Sequence, residues 1–76
     1  MITVKLYGLL RIESGIKELH VEASTIKDVK NQLNMRGISQ QDLNSCIVLV
    51  NEKSVGKRVI LHDGDVVQLL SPVAGG

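Results

Sequence analysis

The fold is decided by the stretch His62-Asp63-Gly64-Asp65-Val66-Val67-Gln68-Leu69-Leu70, which leads into Ser71-Pro72-Val73-Ala74-Gly75-Gly76. Asp63-Gly64 is the strongest turn signal in the chain, because glycine readily supplies a left-handed backbone residue. The apolar residues that follow predict a last strand over residues 66–70. Pro72 ends this strand because proline cannot donate a hydrogen bond to a sheet. We therefore expect residues 71–76 to leave the sheet as a flexible arm.

Two further strands are predicted at the beginning of the chain. Apolar and polar residues alternate over residues 2–7 and again over residues 16–23, which indicates two half-buried strands paired as an antiparallel hairpin. The link between them contains two glycines and is interpreted as a loose loop. Leu10 and Ile12 within this loop are expected to cover one end of the core, or alternatively to form part of a partner surface.

One amphipathic helix is predicted after the hairpin. Thr25 suits its N-cap, Asp28 lies where a helix favours negative charge, and Gly37 suits its end. Residues 38–45 are polar and turn-prone, and we interpret them as a surface connection with a short helical turn.

The second half of the chain continues with strand signals. Residues 46–50 are continuously apolar, which predicts a strand that is buried on both faces or central in the sheet, and residues 51–54 indicate a turn. Residues 55–61 are predicted to form a short edge segment that exposes Lys57 and Arg58.

This order of elements predicts an α+β protein of the β-grasp class. A mixed sheet of four to five strands would curl over one helix, with the first and last strands paired in parallel at its centre. The domain is expected over residues 1–70, and the flexible diglycine tail over residues 71–76.

The composition limits the function classes. Seventy-six residues with 43% hydrophobic and 22% charged residues predict one small folded domain. A net charge of +1 and a single aromatic residue argue against nucleic acid and membrane partners. No signal peptide or membrane span is recognised, and one cysteine suits a reducing compartment, so a cytoplasmic location is expected.

The internal residues that could carry chemistry have better structural explanations. Cys46 suits a core boundary rather than a nucleophile, and His20 suits a solvated strand face rather than a metal site. His62 and Asp63 suit a turn rather than a catalytic pair. The terminal carboxylate of Gly76 is left as the reactive group, and two residues without side chains would fit a narrow slot.

Three motifs together resemble the ubiquitin-like sulfur carriers, in particular the MoaD-like small subunit of molybdopterin synthase. They are Val4-Lys5-Leu6-Tyr7-Gly8, Leu61-His62-Asp63-Gly64-Asp65-Val66-Val67 and Ser71-Pro72-Val73-Ala74-Gly75-Gly76. The resemblance covers essentially the whole chain. It departs from the family at Leu70 and Ser71, where relatives often carry phenylalanine before the proline.

The resemblance implies that the chain is not an enzyme and binds no cofactor tightly. A ubiquitin-activating-type adenylyltransferase would use ATP to adenylate Gly76, and sulfur transfer would then convert it to a thiocarboxylate. The thiocarboxylate would enter the molybdopterin synthase large subunit, with residues 71–75 inserted into the partner.

Other interpretations stay open. Gly76 could join to lysines of target proteins as in a ubiquitin-like modifier, or carry sulfur in the thiamine pathway. The domain could instead bind partners without using its tail. A docking face around Leu9, Val50 and Leu69 is suggested by periodicity alone.

Overall fold

A computed structural model describes residues 1–56 and 58–71. The strands and helices follow in chain order as β1 Ile2–Tyr7, α1 Leu9–Ser14, β2 Glu18–Val21, α2 Ile26–Met35, α3 Gln40–Ser45, β3 Ile47–Val50, β4 Lys53–Ser54 and β5 Val66–Leu70. The strands form one five-stranded sheet in the order β2-β1-β5-β3-β4.

The first and last strands pair in parallel at the centre of the sheet, as the sequence predicts. Val4 lies opposite Val67 and Leu6 opposite Leu69, while β2 and β3 pair antiparallel on either side. Parallel strands require a long crossover, and the chain between β1 and β5 supplies it through α2. The mixed sheet and its helices confirm the β-grasp fold.

The core lies between α2 and the sheet face turned toward it. Buried side chains of the two central strands include Val4, Leu6 and Leu69, and α2 contributes Val29 and Leu33. Among the described residues no polar or charged side chain is fully buried. Burial of aliphatic surface is therefore the main favourable contribution to the folding of this domain.

A capping box begins α2 at the predicted residue. The Thr25 hydroxyl accepts a hydrogen bond from the Asp28 backbone N–H at 3.1 Å. The Asp28 carboxylate accepts in return from the N–H groups of Ser24 and Thr25, at 3.1 and 3.2 Å. Aspartate is shorter than the usual glutamate of this motif, yet here it completes the box.

The predicted loop between β1 and β2 is wrong. The link after β1 is not a loose loop, because residues 9–14 form α1. Only Leu10 of its apolar pair enters the core, since the side chain of Ile12 is 75% exposed. Residues 38–45, in contrast, contain the expected short helix, α3.

The region around β3 also differs from the prediction. β3 is not buried on both faces, because alternate residues turn away from the core and Ile47 is 54% exposed. It does lie inside the sheet, between β5 and β4, which agrees with the alternative prediction. The edge strand is β4 at Lys53–Ser54, within the predicted turn, whereas the described part of 55–61 contributes only a single bridge between Ile60 and Thr25. Arg58 is exposed as expected, and Lys57 lies outside the described residues.

Two aspartates stabilise turns and helix ends as anions. Hydrogen bonds from the backbone N–H of Ser24 and from Thr25 lower the pKa of Asp28. The backbone N–H of His62 and the side-chain amide of Asn51 lower the pKa of Asp65 in the turn before β5. A folded-state pKa below the unfolded value means that each carboxylate stabilises the fold above its unfolded pKa.

We expect the stability of the domain to fall as the pH drops below about 4, the ordinary range of an unfolded aspartate. The stabilisation is lost as each carboxylate is protonated on passing through its lowered folded-state pKa. Urea midpoints measured from neutral to acid pH should show this, and the double variant Asp28→Asn/Asp65→Asn should flatten the profile. Glu52→Gln, at a carboxylate that accepts no hydrogen bond within residues 1–56 and 58–71, is the matched control. An unchanged profile in the double variant would contradict this assignment.

Candidate functional site

The tail of the chain begins at Ser71, immediately after the central strand β5. The Ser71 hydroxyl accepts a hydrogen bond from the backbone N–H of Leu9 at 2.7 Å and donates a longer one to the Tyr7 carbonyl at 3.4 Å. These contacts hold Ser71 against the end of β1 and the start of α1. The other predicted tail residues, Pro72, Val73, Ala74, Gly75 and Gly76, lie outside the described residues.

Gly8 makes this close approach possible. Its φ of 65° and ψ of −139° lie in a region that residues with a Cβ rarely adopt. A Cβ at this position would also overlap the Ser71 hydroxyl oxygen. The sequence interpretation treated Gly8 as part of a link, because nothing near it in sequence indicates contact with a residue at the other end of the chain.

An apolar patch lies beside the base of the tail on the sheet face that turns away from α2. We define the tail-base patch as Tyr7, Ile47 and Leu70, which are neighbours because Leu70 pairs with Tyr7 in β1 and with Ile47 in β3. Ile47 is largely exposed, and Tyr7 and Leu70 are half-buried. Gln68 donates a hydrogen bond to the Tyr7 hydroxyl at 3.1 Å and so borders the patch.

The docking face suggested from periodicity is wrong at two of its three residues. Val50 and Leu69 are buried in the core, and only Leu9 is partly exposed. Successive residues of a strand point to opposite faces, so Leu70 rather than Leu69 reaches the outer face of β5. Leu69 and Leu70 are adjacent and identical in type, so the local sequence does not indicate which of them faces α2.

Positive charge lies next to the tail-base patch. A shallow cleft beside Tyr7 is lined by Lys5, Arg11 and Lys17, together with Glu18. Three cations and one anion give this corner of the molecule a positive balance, although the whole chain is close to neutral. Such a corner would favour an acidic partner surface.

The internal cysteine and the two histidines lie where the sequence predicts, at the core boundary, on an exposed strand face and in a turn. Burial raises the pKa of the Cys46 thiol, which lies half-buried and donates to the Leu43 carbonyl at 3.0 Å. A raised pKa disfavours the nucleophilic thiolate. His20 is exposed on β2, with its Nε2 atom 3.9 Å from a Glu18 carboxylate oxygen. His62 begins the expected turn, where its carbonyl accepts from the Asp65 N–H at 3.0 Å.

The described part of the chain contains neither a metal-binding cluster nor a membrane-spanning helix. No group of three or more histidine, cysteine, aspartate or glutamate side chains is arranged to hold a metal ion there. Nor does any helix in residues 1–56 and 58–71 have the length and apolar character needed to cross a membrane.

Solved structures share the fold over nearly the whole chain. A chain of the complex of subunits 1 and 2 of molybdopterin-converting factor from Helicobacter pylori is 25% identical, with a TM-score of 0.76 and coverage of 99% of this chain and 97% of that one. A chain of the Amycolatopsis orientalis BexX/CysO complex is 27% identical, with a TM-score of 0.68 and full coverage of both chains. Small archaeal modifier protein 1 from Methanosarcina acetivorans is 24% identical over 99% of this chain and 95% of its own, with a TM-score of 0.79, and at that identity shows the fold alone.

Sequence comparison identifies the family. No curated protein sequence matches the chain. The model of the ThiS family, in contrast, matches residues 4–76, which include all five strands except the first two residues of β1. The chain therefore belongs to the ThiS family, among the ubiquitin-like sulfur carriers that its sequence resembles.

Proposed function

We propose that this chain carries sulfur as a thiocarboxylate on Gly76 and donates it in the synthesis of molybdopterin. The observation that carries the proposal is the position of Ser71, which is held by two hydrogen bonds at the end of the central strand. The five residues that follow thus start from a fixed point on a folded base. The likeness to a chain of the H. pylori molybdopterin-converting factor complex supports the choice of pathway.

The proposed chemistry proceeds in two steps. A carboxylate oxygen of Gly76 attacks the α-phosphorus of ATP. The bond between this phosphorus and the oxygen that bridges to the β-phosphorus breaks, which releases pyrophosphate and leaves an acyl adenylate. A sulfide sulfur then attacks the acyl carbon and expels AMP, so that sulfur replaces one carboxylate oxygen. A free α-carboxylate is ionised at neutral pH, and the first step therefore needs no base from this chain.

Partner proteins would supply the catalytic groups and the ATP site. We propose a ubiquitin-activating-type adenylyltransferase for the first partner and the molybdopterin synthase large subunit for the second. The tail-base patch and the adjoining positive cleft suit a partner surface that is apolar at its centre and acidic at its rim. Residues 72–76 would enter the active site of that partner while the patch docks.

The test is incubation of the chain with an activating enzyme, ATP and a sulfur donor, followed by intact-mass spectrometry. We expect the mass increase that corresponds to exchange of one oxygen for sulfur, and no increase when ATP is omitted. An unchanged mass with an enzyme that thiocarboxylates another carrier would contradict the proposal.

The thiamine pathway is the second candidate, because the chain also resembles carriers of that pathway and belongs to a family whose model does not name the acceptor. The thiocarboxylated chain can be offered separately to a molybdopterin synthase large subunit with its pterin precursor and to a thiazole synthase with its substrates. Sulfur transfer to the pterin alone supports the first pathway, and transfer to the thiazole alone supports the second.

A further inference from the structure

We infer that Ser71 is a positioning residue for the adenylation of Gly76, because its hydroxyl joins the base of the tail to helix α1. The inference rests on the proposed function, which supplies the reaction that it concerns. Ser71 does not touch the reacting atoms. It acts by fixing the position and direction in which the tail leaves the sheet.

Helix α1 lacks a cap from its own segment. A helix begins with backbone N–H groups that have no partner within the helix, and a serine, threonine, aspartate or asparagine side chain at the N-cap usually accepts from one of them. The N-cap of α1 is Gly8, which makes no side-chain capping hydrogen bond. The hydroxyl of Ser71, 62 residues away in sequence from Leu9, accepts from the Leu9 N–H instead. The residue immediately after β5 therefore caps a helix that directly follows β1.

The same hydroxyl makes a second contact that restricts it further. It donates to the carbonyl of Tyr7, the last residue of β1 and the partner of Leu70 in the parallel pairing. Gly8 leaves the space that this arrangement requires, since a Cβ there would overlap the Ser71 oxygen. One side chain thus connects β1, α1 and the beginning of the tail at a single point.

A fixed starting point matters because the tail is short. Five residues span at most about 18 Å when extended, so a change of direction at Ser71 displaces the Gly76 carboxylate within a partner's active site. Reaction rates in bound complexes depend steeply on the placement of the reacting atoms. Loss of one hydrogen-bonded anchor is expected to lower kcat for adenylation by about five- to tenfold. KM should change little, because the tail-base patch that docks the partner stays intact.

The experiment measures pyrophosphate release by the activating enzyme with the full chain and its Ser71 variants as substrates. Ser71→Ala removes the hydroxyl, Ser71→Thr keeps it, and Ser71→Val provides a second deletion that matches threonine in shape. Ser39→Ala is the control for a purely structural role, since Ser39 caps the equally short helix α3 by accepting from the Asp42 N–H at 3.1 Å. Hydrogen exchange of the Leu9 amide gives a readout that needs no enzyme.

We expect the alanine and valine variants to lose kcat, the threonine variant to retain it, and Ser39→Ala to lose stability without losing kcat. The Leu9 amide should exchange faster in Ser71→Ala and at the wild-type rate in Ser71→Thr. Equal kcat in wild type and in both hydroxyl deletions, or an equal loss in Ser39→Ala or Ser71→Thr, would overturn the positioning role alone. A wild-type chain that releases no pyrophosphate with a competent enzyme would contradict the proposed function and the positioning role together. An unchanged exchange rate of the Leu9 amide in Ser71→Ala would refute the hydrogen bond itself.

Discussion

Deleting Gly76 is expected to abolish thiocarboxylate formation and to leave the folded domain intact. The deletion withdraws the terminal carboxylate by one residue, about 3.5 Å of extended chain. Misplacement of a reacting group by even about 1 Å can cost two orders of magnitude in rate, so pyrophosphate release should fall by more than about a hundredfold. Intact-mass spectrometry should detect no exchange of oxygen for sulfur, and thermal unfolding should match that of the wild-type chain.

Gly76→Ala is the matched variant, because it keeps the length of the tail and adds one methyl group. We expect it to react more slowly than wild type but faster than the deletion. This order follows if the reach of the terminal carboxylate matters more than the fit of the last residue into a narrow slot of the partner. Binding of the deletion variant to the activating enzyme should persist through the tail-base patch. Product formation by the deletion variant at the wild-type rate would show that Gly76 is not the reacting residue.

Replacing Leu69 by alanine is expected to destabilise the domain by about 2–5 kcal/mol, which is the usual cost of removing a buried leucine side chain. Leu69 is completely buried on the core face of the central strand β5. Small domains have total stabilities toward the lower end of about 5–15 kcal/mol, so this single change should remove a large part of the free energy of unfolding. Urea denaturation monitored by circular dichroism measures the loss in free energy of unfolding.

Leu70→Ala is the control, since it removes the same atoms from the next residue and from the opposite face of the sheet. Leu70 is half-buried in the tail-base patch, and its loss should cost much less stability. We expect it instead to raise KM for the activating enzyme with kcat nearly unchanged, because docking contacts stabilise the bound substrate and the transition state equally. A larger loss of stability in Leu70→Ala than in Leu69→Ala would contradict the assignment of the two faces.

Elements with strong local signals were predictable from the sequence. Alternation over residues 2–7 and the turn before residue 66 correctly indicated β1 and β5. Thr25 was correctly placed at the start of α2, since a cap depends on residues only three positions apart. The parallel pairing of the first and last strands also followed, because the sequence predicts an amphipathic helix that can serve as the crossover between parallel strands.

The base of the tail was only partly predictable. Ser71 was included among the tail residues, but its contacts with Leu9 and Tyr7 join segments more than 60 residues apart. No local pattern records such a pair. The tail-base patch was missed for a related reason, since the strand pairings bring Ile47 beside Leu70 and Tyr7, and the choice of face within an apolar run depends on α2.

The sequence by itself therefore determined the β-grasp class, the central strands and the main helix, because each depends on neighbours along the chain, while the diglycine end as the reactive group stays a prediction. Only the tertiary structure decided that residues 9–14 form a helix, which of two adjacent leucines is exposed, and what holds Ser71. Those features depend on free energies of contact between distant segments. Gly8 has no side chain with which to cap α1. The N–H of Leu9 therefore depends on the Ser71 hydroxyl, which reaches it because β5 pairs with β1.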